Sequence, residues 1–120
     1  TNNYYDITAY MADGSVYTYM NYRLNLCDRS TEWVWLRSLD RTSQHEDRNI
    51  HVGFSPSHIE LVDGELIVPV DKVQLSRDDS DDWNKKDDEV KDLEQKFRSR
   101  QIIKLTVEKC INYNRERFLV

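Results

Sequence analysis

The stretch spanning residues 49–75, NIHVGFSPSHIELVDGELIVPVDKVQL, constrains the fold more than any other part of the chain. Its Asp63-Gly64 dipeptide suits a two-residue type I′ hairpin, whose two central residues both need φ > 0, a conformation glycine accepts without a Cβ clash. With that loop, Val62 pairs with Glu65, Leu61 with Leu66, Glu60 with Ile67 and Ile59 with Val68. Side chains alternate along a strand, so Ile59, Leu61, Leu66, Val68 and Val70 share a predicted core face, opposite His58, Glu60, Ile67 and Pro69. Pro69 cannot donate to a ladder and belongs toward an edge or at the end of the pairing.

The same logic applies to residues 4–22, with Asp13-Gly14 as the turn. A two-residue loop there sets Met11 against Val16, Ala9 against Thr18, Ile7 against Met20 and Tyr5 against Tyr22, a parity that continues through Leu24 and Leu26. The opposite parity collects Tyr10, Tyr17 and Tyr19 with Asp6 and Thr8. Those tyrosines read either as ordinary strand formers partly covered by later elements or as an aromatic contact surface. Residues 28–31 form a turn cluster, and residues 32–39 (EWVWLRSL) a third strand, with Trp33, Trp35 and Arg37 on one face and Val34 and Leu36 on the other. Cover on both faces would make it a central strand. Residues 40–49 are polar and aperiodic and read as an exposed loop. Residues 50–54 form a fourth strand, and Ser55-Pro56-Ser57 kinks the chain before the central hairpin.

From Ser76 the pattern becomes helical. Ser76, Asp78 or Ser80 can cap a helix N-terminus, and Val90, Leu93 and Phe97 form a stripe with Trp83 and Lys86 roughly in line ahead of it. Past a break at residues 99–102, residues 102–111 (IIKLTVEKCI) read as a second helix on the spacing Ile103, Val107, Cys110/Ile111, or as a strand on the alternation Ile103, Leu105, Val107. The architecture expected is therefore a single α+β domain over residues 1–120. Its β-rich part, 1–76, forms an antiparallel β-sheet or small barrel of five to six strands, followed by one or two C-terminal helices in a helical part, 77–120.

Charge is unevenly placed in a chain of net charge −5. Residues 78–94 hold nine acids against three lysines, and residues 95–120 hold seven bases against two acids. Overall acidity opposes broad nucleic-acid binding, which relies on neutralising phosphates. No run approaches a membrane span and no basic leader precedes an apolar segment, so a cytoplasmic, membrane-free protein is expected. Cys27 and Cys110 match no metal or redox pattern and are expected as reduced, buried thiols.

Signatures of chemistry are weak. His45, His51 and His58 fit no zinc or catalytic spacing. Asp78-x-Ser80-x-Asp82-x-Asn84 with Glu89 imitates a calcium loop, but Trp83 stands where the sharp turn needs glycine and Lys86 at the ninth position. Glu89-Val90-Lys91 has a nuclease-like spacing on what reads as helix, and no phosphate-cradling glycine loop occurs. No catalytic residue, metal or cofactor is expected. Small acidic α+β chains are frequent among immunity proteins and phage anti-defence inhibitors, a parallel of size and charge alone. The function expected is a non-enzymatic inhibitor or protein-interaction protein whose acids Asp78, Asp79, Asp81, Asp82, Asp87 and Asp88, with Trp83 as anchor, engage a basic macromolecular partner; self-association stays open. The alternative is a nucleotide or phosphorylated small-ligand binding protein using Tyr10, Tyr17, Tyr19, Arg98, Arg100, Arg115 and Arg117.

Overall fold

The computed structural model describes residues 3–24, 32–36, 50–80 and 82–110. In chain order these form β1 (Tyr4–Met11), β2 (Val16–Arg23), β3 (Val34–Leu36), β4 (Ile50–Phe54), β5 (Glu60–Val62), β6 (Glu65–Val68), β7 (Gln74–Arg77), α1 (Asp87–Ser99) and β8 (Ile102–Lys109). Single 3-10 turns lie at Pro56–His58, Val70–Lys72 and Asp82–Asn84. The strands make two antiparallel sheets, one of five strands in the order β2-β1-β8-β6-β5 and one of three in the order β3-β4-β7. The α+β, antiparallel character holds, and no helix among the described residues is long and apolar enough to cross a membrane.

The helical reading of the C-terminal part is corrected by β8. This strand occupies the middle of the larger sheet, paired with β1 along its length and with β6 through Ile67–Thr106 and Val68–Leu105. Ile102, Ile103, Thr106 and Val107 are β-branched and stiff at χ1, which favours the pleated conformation once a partner strand is available. Leu105 and Val107 are buried on the core side, and Thr106 is buried on the other. Ile103 is 61% exposed because the register shifts between Tyr10 and Met11, whose partners are Lys104 and Ile102.

Along β1, Tyr5, Ile7, Ala9 and Met11 are buried in strict alternation, as the sequence predicts. The β1–β2 turn departs from expectation. Met11 N donates to Ser15 O at 2.9 Å and Gly14 N to Met11 O at 3.0 Å, so the loop holds three residues, Ala12-Asp13-Gly14, with Gly14 at φ +90°. Three-residue hairpins place a left-handed glycine last, so Asp-Gly serves this geometry as well as the shorter one. The pairs become Tyr10–Val16, Ala9–Tyr17, Thr8–Thr18 and Ile7–Tyr19, one residue off the expected register. The slip turns Tyr19 into the core and leaves Val16 and Met20 more than half exposed. An irregularity between Tyr5 and Ile7 absorbs the extra residue and restores Tyr5 opposite Tyr22.

The Asp63-Gly64 hairpin forms in the predicted register, Glu60–Ile67, Leu61–Leu66 and Val62–Glu65, with φ +52° at Asp63 and +78° at Gly64. Its predicted core face is buried only at its root. Val68 is 1% exposed, whereas Leu61 is 70% and Val70 46% exposed. Pro69 ends β6, where its missing N–H costs no ladder bond.

Among the described strands the smaller sheet is centred on β4, with β3 beside it and Leu36, but not Trp35, buried, so the third strand is not covered on both faces. Strand β7 runs to Arg77, past the point where the sequence turns helical. Ile50, Val52, Phe54 and Leu36 join Ile7, Leu105, Val107 and Val68 in one apolar cluster. Each such side chain stabilises the fold by roughly 1.5–3 kcal/mol relative to exposure. Helix α1 starts at Lys86 without a side-chain cap, so Ser76, Asp78 and Ser80 do not cap it; acids in its first turn and bases in its last complement its dipole. It has no fully buried residue, and Val90, Leu93 and Phe97 are half-buried, Phe97 against the core. Cys110 is buried, its thiol 3.3 Å from Asp6 Oδ1, while Cys27 and the predicted loop at residues 40–49 lie outside the described residues.

A Cβ added at Gly14 or Gly64 would meet nothing within 4 Å. The cost of Gly14→Ala or Gly64→Ala is therefore backbone strain alone, roughly 1–2 kcal/mol each. Denaturant midpoints should fall accordingly, and midpoints equal to wild type would show that neither residue holds the left-handed conformation.

Candidate functional site

The acidic stretch is anchored by one ion pair. Arg77, at the end of β7, donates from Nη2 to Asp82 Oδ1 at 2.7 Å and from Nη1 to Oδ2 at 2.9 Å, with the two side chains 10% and 17% exposed. A two-pronged guanidinium–carboxylate contact fixes orientation as well as distance. The Arg77 hydrogen bonds hold the Asp82 carboxyl below the usual carboxylate range, and the same contact raises Arg77 further. Lys85 approaches the same carboxylate at 3.8 Å. Asp82 thus fastens the turn Asp82–Asn84 to the smaller sheet and is occupied within the fold.

That turn carries Trp83 outward. It is 84% exposed, so it is not packed into the fold as the apolar stripe on α1, with which the sequence aligned it, partly is. An open concavity of about 490 Å³ lies beside it, lined by Asp82, Trp83, Asp87, Val90, Lys91 and Glu94. Asp78 accepts from the Ser80 backbone N–H at 3.0 Å, which lowers its pKa, and is otherwise exposed. Asp79, Asp87 and Asp88 are exposed, and Asp87 and Asp88 make no ion pair among the described residues. Asp81 lies outside the described residues. The calcium-loop likeness dissolves here, because Asp82 is committed to Arg77 and Glu89 sits in the first turn of α1.

The alternative set is dispersed by the register of β2. Tyr10 faces away from the core, with Lys104 Nζ 5.9 Å from its ring centre, while Tyr19 is buried and Tyr17 is half-buried on the core side. Tyr17 Oη accepts from Arg100 Nη1 at 3.3 Å, which joins two members of the set. Arg98 lies 4.0 Å from Glu94 on α1, and Arg115 and Arg117 lie outside the described residues. Tyr10 also lines an open cavity of about 390 Å³ between Thr8, Thr106 and Glu108 on the sheet and the hairpin tip Gly64–Leu66. Lys104 pairs with Glu65 of that tip at 2.9 Å.

His45 lies outside the described residues, and His51 and His58 are half-buried on different elements. No three metal-ligating side chains converge among the described residues. His58 meets Trp33 edge-on at 6.4 Å, and its Nδ1 is closed from solvent without a hydrogen-bond partner, so ring contact places it. Trp33 in turn stacks on Trp35, with centroids 6.0 Å apart and planes 25° from parallel. Both indoles are about two-fifths exposed. Sequence reasoning did not single out this pair as a site. The available signal was Trp-x-Trp in a strand together with a glycine in the next one, since Trp35 lies opposite Gly53.

The ion pair makes a pH prediction. Asp82 is depressed in the folded state, so the stability it supplies is complete above the usual carboxylate range and is lost as pH falls through its folded pKa. Asp82→Asn should lower stability at neutral pH and flatten the acid limb of the stability profile. Denaturant midpoints measured from pH 7 to pH 3 test this, and an unchanged acid slope would remove the Arg77–Asp82 pair as its source.

Scans against protein-family models, curated proteins and solved structures found no match to this chain, so its functional reading rests on the surfaces just described.

Proposed function

We propose that this chain is a non-enzymatic protein-interaction protein, of the inhibitor kind, that receives a basic macromolecular partner on the surface formed by the 82–84 turn and the first turns of α1. The observation that carries the reading is Trp83, 84% exposed beside a concavity whose walls include the acids Asp87 and Glu94 together with Lys91. A large aromatic side chain left in water loses its share of the hydrophobic stabilisation, and aromatic residues ringed by polar ones are the anchors through which interfaces gain most of their energy. Acids around that anchor favour a partner with lysine or arginine at the matching positions. Exposed acids act mainly on encounter, through attraction that salt screens, while the indole acts on residence.

Asp82 must be left intact in a test, because it holds the turn. Once a partner has been captured and identified, Asp79, Asp87 and Asp88 changed together to Asn should slow association and flatten its salt dependence. Trp83→Ala should leave the association rate nearly unchanged and speed dissociation, weakening binding by about 2 kcal/mol or more if it is the anchor. Stopped-flow association at low and high salt separates the two effects. Unchanged kinetics in both variants would overturn the proposal.

A further inference from the structure

The outward face of the smaller sheet has a composition unlike the rest of this chain. Antiparallel partners share a face, so the pairs Trp35–Gly53, Gly53–Gln74 and His51–Ser76 place Trp35, Gly53, Gln74, His51 and Ser76 together, with Trp33 stacked at one side. The opposite face carries Leu36, Val52 and Phe54 into the core. In a chain that is 32% charged, these six described outward residues include no carboxylate, ammonium or guanidinium. Arg37, which shares their parity in the sequence, lies outside the described residues.

The two indoles form a built surface. A Cβ on Gly53 would stand 2.5 Å from two ring carbons of Trp35, so glycine is what lets the ring lie flat across the neighbouring strand. Covering Gly53 accounts for Trp35, but it does not account for Trp33, which stacks on Trp35 and meets His58 edge-on. The product is a stacked, part-exposed pair of indoles on the same sheet face as an amide, a hydroxyl and an imidazole.

We propose that this face binds a neutral saccharide, with a pyranose ring lying against the exposed indole surface of the Trp33–Trp35 stack and its hydroxyls hydrogen-bonded by polar side chains of the same face, Gln74 first among them. The C–H bonds on one face of a pyranose carry partial positive charge and meet the negative face of an aromatic ring, while the hydroxyls at its rim need uncharged donors and acceptors. Charge complementarity selects this occupant. A nucleobase would stack equally well but brings phosphate, which a chain of net charge −5 disfavours, the more so because β7 leads past its end to the exposed acids Asp78 and Asp79. The proposal does not depend on the acidic surface around Trp83.

The test uses the full chain on an array of neutral and anionic glycans that also carries oligo(dT) and a proline-rich peptide, with titration calorimetry of any hit. Trp33→Ala removes the outer ring and leaves Trp35 over Gly53, so it should fold, as a denaturant midpoint near wild type would confirm. Binding to at least one neutral glycan is expected, with little dependence on salt, about tenfold or more weaker in Trp33→Ala and weakened less in Gln74→Ala. Absence of any neutral-glycan hit, binding untouched by Trp33→Ala, or preference for oligo(dT) or the proline-rich peptide over every neutral glycan would overturn the proposal. Should Trp33→Ala be destabilised, Gln74→Ala, at the exposed position of β7, serves as the second variant, and an unchanged affinity there counts against the proposal.

Discussion

The pairing of β1 with β8 is the constraint on which the rest depends. These strands come from opposite ends of the described chain, and their ladder runs from Tyr5–Lys109 to Met11–Ile102. Closing such a long loop costs entropy that no local contact repays, so the two strands must be matched in burial as well as in hydrogen bonding. They are matched: Ile7 and Ala9 on one strand and Leu105 and Val107 on the other are all nearly or fully buried. With β8 in place, the hairpin of β5 and β6 has a partner on which to dock at Ile67 and Val68, and β2 has a sheet rather than a lone partner. A two-stranded hairpin by itself would be marginal in water, so both local hairpins owe their stability to this distant pairing.

Loop length decides which side chains the protein shows to solvent. Both turns use Asp-Gly, yet one loop has two residues and the other three, and the difference of one residue exchanges the faces of β2. Tyr19 becomes core and Met20 becomes surface through that single step. The later irregularity restores the first parity at Tyr22 and Leu24, so the strand twists its two ends to different tasks. Such a change is cheap in backbone energy and large in surface chemistry.

The sequence made β1, β4 and the β5–β6 hairpin legible because period-two burial or a turn dipeptide marks them plainly: the Asp63-Gly64 register, the alternation of Tyr5 to Met11 and β4 at Ile50–Phe54 come out as read. It left the tyrosine surface illegible, because Asp13-Gly14 satisfies two loop lengths and the three-residue loop that forms is the one that buries Tyr19. Residues 102–109 were ambiguous for a related reason. Their buried run, Leu105, Thr106 and Val107, is continuous because β8 is central, and a continuous run matches neither the helical nor the alternating pattern. The depth of the acidic residues was also hidden. Nothing in the string of aspartates separates Asp82, clasped by Arg77, from Asp87 and Asp88 in open water. The Trp33–Trp35 surface needed the knowledge that Gly53 lies across from Trp35, which is a statement of register and not of composition.

The placement of charge then gives the two proposed surfaces different physics. Acids gathered at residues 78–94 produce a field that reaches about a Debye length, roughly 8 Å at physiological salt, and so act before contact is made. The uncharged indole pair proposed as a second surface has no such reach, so any ligand it takes would be held only at contact, through shape, stacking and hydrogen bonds. Strand β7 links them, since Gln74 and Ser76 share the face of the indole pair while Arg77, one residue on, turns to Asp82 and fixes the turn that carries Trp83. Loss of the Arg77–Asp82 contact would free that turn without altering the pairing of Gln74 with Gly53, because the ladder bonds of β7 precede it in the chain. On the proposed reading, one short strand supports both a salt-sensitive surface and a salt-indifferent one, with Gln74 and Ser76 on one of its faces and Arg77 on the other.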